Sequence, residues 1–419
     1  MLNTPPDKNK YFAFEYSSVG NTVGNKVNNA YENMEKKNGQ YVLFFNYKTQ
    51  QNHFKFYVNY GIIHTLSKTT KRNKVMTIFL NILFLIIGMA LLIKGADFFV
   101  SGASEIAKRL KVPSMFIGLT IVAIGTSMPE LSVSIASAIS GSIDMSVGNV
   151  VGSNLFNMLL ILGIVALVSP LKVHANTRKV DLPFLLAVTG ILMIFSLDVL
   201  LNGAIESMLA RTESIILLIV LILYMYVLIS NARRNRKKEM EEQQAFMATQ
   251  DTTVVVPENN NQPKEKRLKI WQIVLYVVFG LAAVVFGGEC VSSTAQFLAL
   301  TMGMSEALVG LTVVALGTSL PELVTSVVAA KKGENDLALG NCIGSNVMNI
   351  ALILGSVGLI AQAPISLTII TDIIILFVAT IVFVVMCAKR SNLSKIEGAI
   401  LVGMYLSYLA FAIVRNYCF

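Results

Sequence analysis

Two copies of one short motif hold the residues of this sequence that could bind an ion. The motif reads GTSMPE at residues 125–130 and GTSLPE at residues 317–322. Glycine and proline both weaken a helix, so each copy places hydroxyls and a carboxylate beside irregular backbone whose carbonyls can also act as ligands. The spacing i, i+3, i+4 and i+7 puts these residues on one helical face. They are Ala123, Thr126, Ser127 and Glu130 in the first copy, and Ala315, Thr318, Ser319 and Glu322 in the second.

A polar segment downstream of each motif adds further oxygen donors. GSNLFN places Ser153 and Asn157 one helical turn apart, and GSNVMN does the same for Ser345 and Asn349. A set made only of carboxylate, hydroxyl, amide and carbonyl oxygens suits hard cations such as Ca²⁺. A simpler alternative stays open for a single motif, because a buried glutamate can hydrogen-bond a broken helix and small polar residues can pack helices together.

The composition shows which solvent surrounds these motifs. The chain of 419 residues is 54% hydrophobic and 14% charged, with a mean hydropathy of +0.64. That charge is too little for the surface of a soluble domain of this length, so the sequence predicts a polytopic membrane protein. The four cysteines form no CxxC pair and the three histidines share no ligand spacing, which disfavours a zinc site or a disulfide framework.

Ten segments are long and apolar enough to cross a bilayer, which takes about 20 residues as a helix. They begin at Thr77, Phe184, Ser214, Ile273, Ile365 and Gly398, or cover roughly 113–139, 146–168, 305–331 and 337–360. In chain order, the basic residues follow the first, third, fifth, seventh and ninth of these spans, and Arg211 is the exception in the loops between them. Basic loops stay cytoplasmic, so both ends of the ten-helix bundle are expected outside.

The chain repeats itself. Residues 118–163 and 310–355 align without a gap, and more than half of their positions are identical. The repeat is therefore a five-helix half, and because five is odd the two halves must enter the membrane from opposite sides. We predict an all-α membrane protein with two inverted-topology repeats, an arrangement that places the substrate site near the midplane in many transporters.

The composition also suggests boundaries along the chain. Residues 76–231 form the first repeat, 232–269 a flexible, polar cytoplasmic linker, and 270–419 the second repeat. Residues 1–75 are polar and carry basic residues just before a span whose start should be outside. We therefore expect them to be an extension upstream of a native start at Met76.

The paired GTSxPEL and GNxxGSNxxN segments resemble the α-repeats of the cation/Ca²⁺ exchanger superfamily, particularly the prokaryotic calcium/sodium antiporters. The resemblance covers about residues 76–415. It implies cation sites between spans two, three, seven and eight. By matching position, it implies that Ca²⁺ is bound by Glu130, Glu322, Thr126 and Thr318. It implies that Na⁺ is bound by Ala123, Ser127, Ser153, Asn157, Ala315, Ser319, Ser345 and Asn349.

The resemblance also bears on the coupling ion. The K⁺-dependent branch of the superfamily has Asp at the position of Asn349, so the asparagine found here disfavours K⁺ dependence. The H⁺-coupled branch has GNxxE where this sequence has GTSxPE, which favours Na⁺ over H⁺.

We therefore expect a secondary antiporter that exchanges Na⁺ for Ca²⁺ by alternating access and moves Ca²⁺ outward across a prokaryotic plasma membrane. An H⁺/Ca²⁺ antiporter on the same fold is the alternative, and a cation channel is a weaker one. An enzyme is not expected, because no pair of a nucleophile and a base is evident. Beyond the transported ions and membrane lipid, we expect no cofactor, no nucleic acid and no obligate protein partner.

Overall fold

The computed structural model describes residues 34–37, 40–43, 71–141, 143–197, 207–249, 268–302, 315–389 and 392–418. The chain divides into two compact units, Met1–Thr77 and Ile78–Phe419. In the first unit, strands β1 (Met34–Lys37) and β2 (Gln40–Leu43) form an antiparallel hairpin. The rest of the predicted extension up to residue 70 lies outside the described residues.

Helices make up nearly all of the second unit. In chain order they are α1 (Lys71–Leu110), α2 (Ser114–Ile117), α3 (Ala123–Thr126), α4 (Met128–Ile139), α5 (Ile143–Leu155), α6 (Leu162–Val168), α7 (Leu182–Phe195), α8 (Arg211–Thr249), α9 (Ile270–Thr301), α10 (Ala315–Gly317), α11 (Leu320–Lys331), α12 (Asn335–Met348), α13 (Gly355–Ile360), α14 (Leu367–Lys389) and α15 (Lys395–Cys418). Wider π-helical turns cover Gly118–Val122, Phe156–Ile161, Thr177–Asp181 and Asn349–Leu354.

Among the described residues, seven helices are long and apolar enough to cross a membrane. An eighth span results if the bent pair Ser114–Thr126 and Met128–Ile139 is counted as one. The predicted fourth span forms the shorter helix α7, and most of the first half of the predicted seventh span lies at 303–314, outside the described residues. The mostly helical, multi-spanning architecture is thus confirmed, and the number ten stays a prediction.

The polar spans lie at the centre of this bundle. In Asp144–Val168 and Asn335–Ile360, 78% of the most apolar window is buried, compared with 22% in Met76–Leu110 and Ile270–Thr301. Lipid cannot satisfy polar groups, so spans rich in Ser, Asn and Gly are stable only where protein surrounds them. The second polar segment of each repeat is therefore enclosed by the other helices.

Helices α1 and α9 cross closely through glycines. A Cβ atom added at Gly95 would lie 2.8 Å from the Cβ of Ala283, and one added at Gly280 would lie 2.6 Å from the backbone nitrogen of Phe99. Such distances are shorter than any normal contact, so only glycine allows the two backbones to approach this far. Small residues serve the same purpose at other helix crossings in membranes.

Two short strand pairs correct the all-α prediction in detail. β3 (Leu171–Lys172) pairs antiparallel with β6 (Asn392–Leu393), and β4 (Ser207–Leu209) pairs antiparallel with β5 (Ala363–Ile365). These short segments between helices have an extended backbone, whose N–H and C=O groups need hydrogen-bond partners. In each pair, the two segments act as partners for one another. Each pair joins a connection of the first repeat to a connection of the second.

The predicted linker also needs a correction. Helix α8 does not end near residue 231 but continues to Thr249, so the first part of the 232–269 segment is helical rather than flexible. The cause is its composition, because Arg, Lys, Glu, Gln, Met and Ala are strong helix formers. Lys237 and Glu241 support the helix with an i, i+4 ion pair at 3.7 Å. Residues 250–267 lie outside the described residues.

Candidate cation-binding site

The first motif lies where a helix breaks. Helix α3 ends at Thr126, and Ser127 has non-helical angles of φ −83° and ψ 7°. Helix α4 then begins with Pro129 in its first turn, and the helical segments before and after the break meet at 45°. Proline lacks an N–H and clashes with the preceding turn, so the helix restarts there rather than continuing.

The second motif breaks in the same way. Ser319 has φ −91° and ψ 6° immediately before α11, which has Pro321 in its first turn. Glu130 and Glu322 then lie in the first turns of α4 and α11, where the partial positive charge of a helix N-terminus favours a carboxylate. The repeated proline thus fixes both the break and the position of the acid.

The two motifs meet through a reciprocal pair of hydrogen bonds. The Ser127 hydroxyl donates to Glu322 Oε1 at 3.0 Å, and the Ser319 hydroxyl donates to Glu130 Oε1 at 2.9 Å. Each serine therefore bonds the glutamate of the other repeat. Both glutamates have no exposed surface. The structure thus brings together four of the predicted site residues, although they come from two repeats that are far apart in the sequence.

Many buried polar atoms of the predicted site have no hydrogen-bond partner among the described residues. Unpartnered buried atoms of this set are Glu130 Oε2, Glu322 Oε2, Thr318 Oγ1, Ser153 Oγ, Ser345 Oγ, and both amide atoms of Asn157 and Asn349. Buried polar atoms without partners are few in native proteins, so a concentration of them calls for an explanation. A cation that these oxygens bind supplies one.

The packing of the helices brings the two asparagine segments next to the glutamate helices. Asn157 and Asn349 belong to the π-helical turns Phe156–Ile161 and Asn349–Leu354. The first of these turns packs against α11, and the second packs against α4. Each asparagine segment therefore contacts the glutamate helix of the other repeat. Such wide turns are frequent at functional sites because they interrupt the regular pattern of backbone hydrogen bonds.

The remaining predicted residues have different surroundings. Thr126 is buried, and its hydroxyl lies 3.1 Å from both the Val122 carbonyl and Asn341 Oδ1. Ala123 is also buried, and its carbonyl accepts the Ser127 N–H at 3.1 Å. A carbonyl oxygen has two lone pairs, so this bond leaves one free for a cation. Ala315 begins α10, and its side chain lies outside the described part of the chain.

Sequence reasoning missed a pair of asparagines behind the motifs. Asn149 donates to the Ser134 hydroxyl at 3.0 Å, and Asn341 donates to the Ser326 hydroxyl at 2.9 Å. Asn341 also accepts from Thr126, so it fixes the position of a predicted ligand. The signal was present in the repeat itself, because both the asparagine and the serine recur at the same places in the two copies.

No described basic side chain forms an ion pair with either glutamate. The donor set consists of carboxylate, hydroxyl, amide and carbonyl oxygens from two matching segments. Such a set can bind a hard cation, and two enclosed carboxylates without a counter-charge require one or take up protons.

A family model described as sodium/calcium exchanger protein matches residues 80–230 and 272–414, which is more than half of the chain. The chain belongs to the sodium/calcium exchanger family. The two matched blocks contain both motifs, and they lie on either side of the segment that includes the end of α8.

Similar proteins support the assignment to the sodium/calcium exchanger family over most of the chain. The sodium/calcium exchanger MaX1 of Methanosarcina acetivorans is 35% identical over 350 residues, which cover 78% of this chain and 97% of that protein. The inner membrane protein YrbG of Escherichia coli is 34% identical over 330 residues, which cover 78% of this chain and 94% of YrbG.

A solved structure of the sodium–calcium exchanger NCX_Mj, soaked with 2.5 mM Na⁺ and 0.1 mM Ca²⁺, has the same fold as this exchanger-family chain. The TM-score is 0.65 at 26% identity, and the match covers 79% of this chain and 98% of NCX_Mj. The resemblance inferred from the motifs is confirmed. The chain is an integral multi-pass membrane protein of a transporter family.

Proposed function

We propose that this protein is a secondary antiporter that exchanges Na⁺ for Ca²⁺ by alternating access, with Ca²⁺ moving outward. The transported ions bind at Glu130 and Glu322 and at the hydroxyl, amide and carbonyl oxygens around them. The predicted division of ligands holds in this proposal: the glutamates and Thr126 and Thr318 bind Ca²⁺, and the remaining matched residues supply the Na⁺ sites.

One observation carries this proposal. Each glutamate uses one carboxylate oxygen for the serine of the other repeat and keeps the second oxygen buried and unpartnered. The hydrogen bonds hold the carboxylates in place, and the second oxygens stay available as ligands. A merely structural glutamate would be expected to satisfy both oxygens, since an unsatisfied buried acceptor costs about 1–3 kcal/mol.

The charge of the site gives a reason for obligatory exchange. Two ionised carboxylates inside a membrane cost roughly 2.5–3.5 kcal/mol each, and more when they are left bare. A Ca²⁺ ion or a set of Na⁺ ions neutralises them, so the loaded forms can pass through a closed, dry intermediate. The bare form resists that passage, and each ion that leaves must therefore be replaced.

The reciprocal contacts also support the predicted architecture of ten helices in two inverted halves. Ser127 and Ser319 each bond the glutamate of the other repeat, and each strand pair joins a connection of one half to a connection of the other. Reciprocal pairings of this kind follow from a two-fold relation between the repeats. Such a relation allows the same site to open to either side of the membrane when the halves rearrange.

We place the protein in a prokaryotic plasma membrane, where an inward Na⁺ gradient can drive Ca²⁺ out. The name of the E. coli relative, an inner membrane protein, supports this location.

Radiolabelled Ca²⁺ uptake into proteoliposomes tests the proposal. The vesicles are loaded with Na⁺ and diluted into Na⁺-free medium at clamped pH and voltage. We expect uptake that requires internal Na⁺ and persists without a pH gradient. Uptake driven only by an imposed proton gradient would assign H⁺/Ca²⁺ exchange to the same two glutamates. Ca²⁺ flux that needs no counter-ion would instead indicate a channel.

A further inference from the structure

A second buried acid lies outside the cation site. Asp181 ends the π-helical turn Thr177–Asp181, directly before α7, and only 1% of its surface is exposed. Neither carboxylate oxygen has a partner in good hydrogen-bond geometry among the described residues, and the Thr177 hydroxyl of the same turn interacts with the carboxylate. No described Lys, Arg or His nitrogen lies within ion-pair distance of it. An isolated buried carboxylate is so unfavourable that it has to be neutralised in some way.

The second repeat contains the matching acid, Asp372 in α14. The match is supported by Thr189 and Thr380, which follow the two acids at the same distance and bond the carbonyl one turn back, each at 2.8 Å. Asp372 is neutralised by Arg415 through two parallel contacts of 2.9 Å. This bidentate geometry is the strongest form of carboxylate recognition by arginine.

The first repeat lacks that arginine. Glu213 accepts from the Ala210 N–H at 2.8 Å and Glu397 accepts from the Ser394 N–H at 2.7 Å, so the two glutamates align helices α8 and α15 at their starts. Tyr224 follows Glu213 at the same distance as Tyr408 follows Glu397. By the same alignment, Asn231 lies at the position of Arg415. The acid and the tyrosine are therefore present in both repeats, and the counter-charge is present in one.

Tyr224 provides a polar partner for Asp181. Its ring stacks on Phe184, in the first turn of α7 after Asp181, with centroids 4.3 Å apart. The Tyr224 hydroxyl is buried without a partner and interacts electrostatically with Asp181. Three unpartnered oxygens, two of Asp181 and one of Tyr224, are too few for a metal ion, since Ca²⁺ takes 6–8. They suffice for a proton.

The groups around Asp181 are compatible with neutralisation of its carboxylate by a proton. Arg178, on the same turn, has its buried Nε without a partner, and Lys179 points to solvent. The end of α14 is close, because β3 and β6 pair, and it contributes the buried thiol of Cys387. Asp181 precedes the predicted span that begins at Phe184, and burial raises the pKa of its carboxyl to about 7.

We propose that Asp181, with Tyr224 beside it, is a proton-binding site of the first repeat that is separate from the cation site. At the matching position of the second repeat, Arg415 occupies both carboxylate oxygens of Asp372 instead. Proton occupancy of Asp181 replaces the missing arginine, so the first repeat senses pH near the end that its basic residues predict to be cytoplasmic.

Infrared spectroscopy of the purified, reconstituted protein tests this directly, and it requires no transport. The carbonyl band of a protonated carboxylic acid is compared between the parent protein and Asp181→Asn, from about pH 5 to about pH 8. We expect Asp181→Asn to remove a band that disappears from the parent as the pH rises. The matched control Asp372→Asn should leave that band intact. An unchanged spectrum in Asp181→Asn would overturn the proposal.

Two further variants test whether Tyr224 and Arg178 contribute to the state of Asp181. Tyr224→Phe keeps the stacking on Phe184 and removes the hydroxyl, so it should shift the frequency of the same band without abolishing it; an unmoved band would separate Tyr224 from the site. Arg178→Gln should leave the band unchanged. If Arg178→Gln instead creates the band, then Arg178 neutralises Asp181 and the proposal is wrong.

Discussion

The two repeats are alike at the cation site and unlike at their outer ends. Around the glutamates, each serine, asparagine and proline has its counterpart, and the hydrogen bonds are reciprocal to within 0.1 Å. Away from the site, Asp372 has an arginine partner, and Asp181 has none in the part of the chain that the structure describes. Similarly, Asp97 pairs with Lys332 at 2.8 Å. Glu289 lies at the matching position of the second repeat, 192 residues later, and accepts a hydrogen bond from Ser293 of its own helix.

This difference separates two kinds of requirement. A site that has to present the same ligands to both sides of a membrane needs matching residues from both repeats. In the proposed inverted arrangement the outer ends face different compartments, so nothing requires them to match. The four predictions below change residues on each side of this distinction, from the largest expected effect to the smallest.

The largest effect is expected from the two glutamates. Glu130→Gln and Glu322→Gln should each reduce Ca²⁺ exchange by more than about 100-fold, because each removes one of two charges that neutralise the ion at close range. Radiolabelled uptake measures the loss, and the two variants should be similar. Glu289→Gln is the control, since this residue lies outside the site and should leave exchange near the parental rate. A Glu130→Gln or Glu322→Gln protein with normal transport would contradict the site assignment.

The next effect concerns stability. Arg415→Gln should destabilise the protein by roughly 3 kcal/mol, because it leaves the partly buried charge of Asp372 without its arginine partner. The side chains of Arg415 and Asp372 are 19% and 14% exposed, which sets the value at the low end of the usual range. Thermal unfolding in detergent measures this loss. The double variant with Asp372→Asn should recover most of it, and a double variant as unstable as Arg415→Gln would show that the charge is not the cause.

The two serines should have an intermediate effect. Ser127→Ala and Ser319→Ala each remove one hydrogen bond to a charged carboxylate, a contribution of about 1.5–3 kcal/mol. We expect roughly a tenfold or greater rise in the Na⁺ concentration needed for half-maximal exchange, with a smaller change for Ca²⁺. Equal changes for both ions would show that the proposed division of the ligands is wrong.

The smallest effect is expected at Lys332. Its ammonium contacts the Asp97 carboxylate, the Asp97 carbonyl at 2.7 Å and the Ser101 hydroxyl at 2.6 Å. The side chains of Lys332 and Asp97 are 29% and 47% exposed, so the ion pair should contribute no more than about 1 kcal/mol. Lys332→Gln should therefore change thermal stability slightly, and the change should vanish at high salt. Loss that persists in high salt would indicate a structural role beyond the charge.

The sequence was sufficient for the parts of the molecule that depend on composition and spacing. The apolar runs predicted most spans, because a bilayer requires a minimum apolar length. GTSxPE predicted the helix breaks, because proline has the same effect wherever it occurs in a helix. The repeat marked Glu130, Glu322, Ser127 and Ser319 as one set, and the structure brings these four together.

Other features depend on contacts between distant segments, which spacing does not reveal. Nothing in the motif indicates that Ser127 bonds Glu322 rather than its neighbour Glu130. The role of Asn341 depends on the packing of α12 against the segment around Thr126. The strand pairs likewise need two connections from different halves to meet. The helical start of the linker was predictable from its helix-forming residues, but its polarity was interpreted as flexibility.

The length of α8 has a consequence for whatever follows it. The candidate span within this helix ends at Arg234, and the helix continues to Thr249. At 1.5 Å per residue, that extension carries the chain roughly 20 Å beyond the end of the span. This distance exceeds two Debye lengths, about 8 Å each at physiological ionic strength. A fluorophore or protease site inserted after Thr249 would therefore report on bulk solution, largely screened from the surface charge of the lipids.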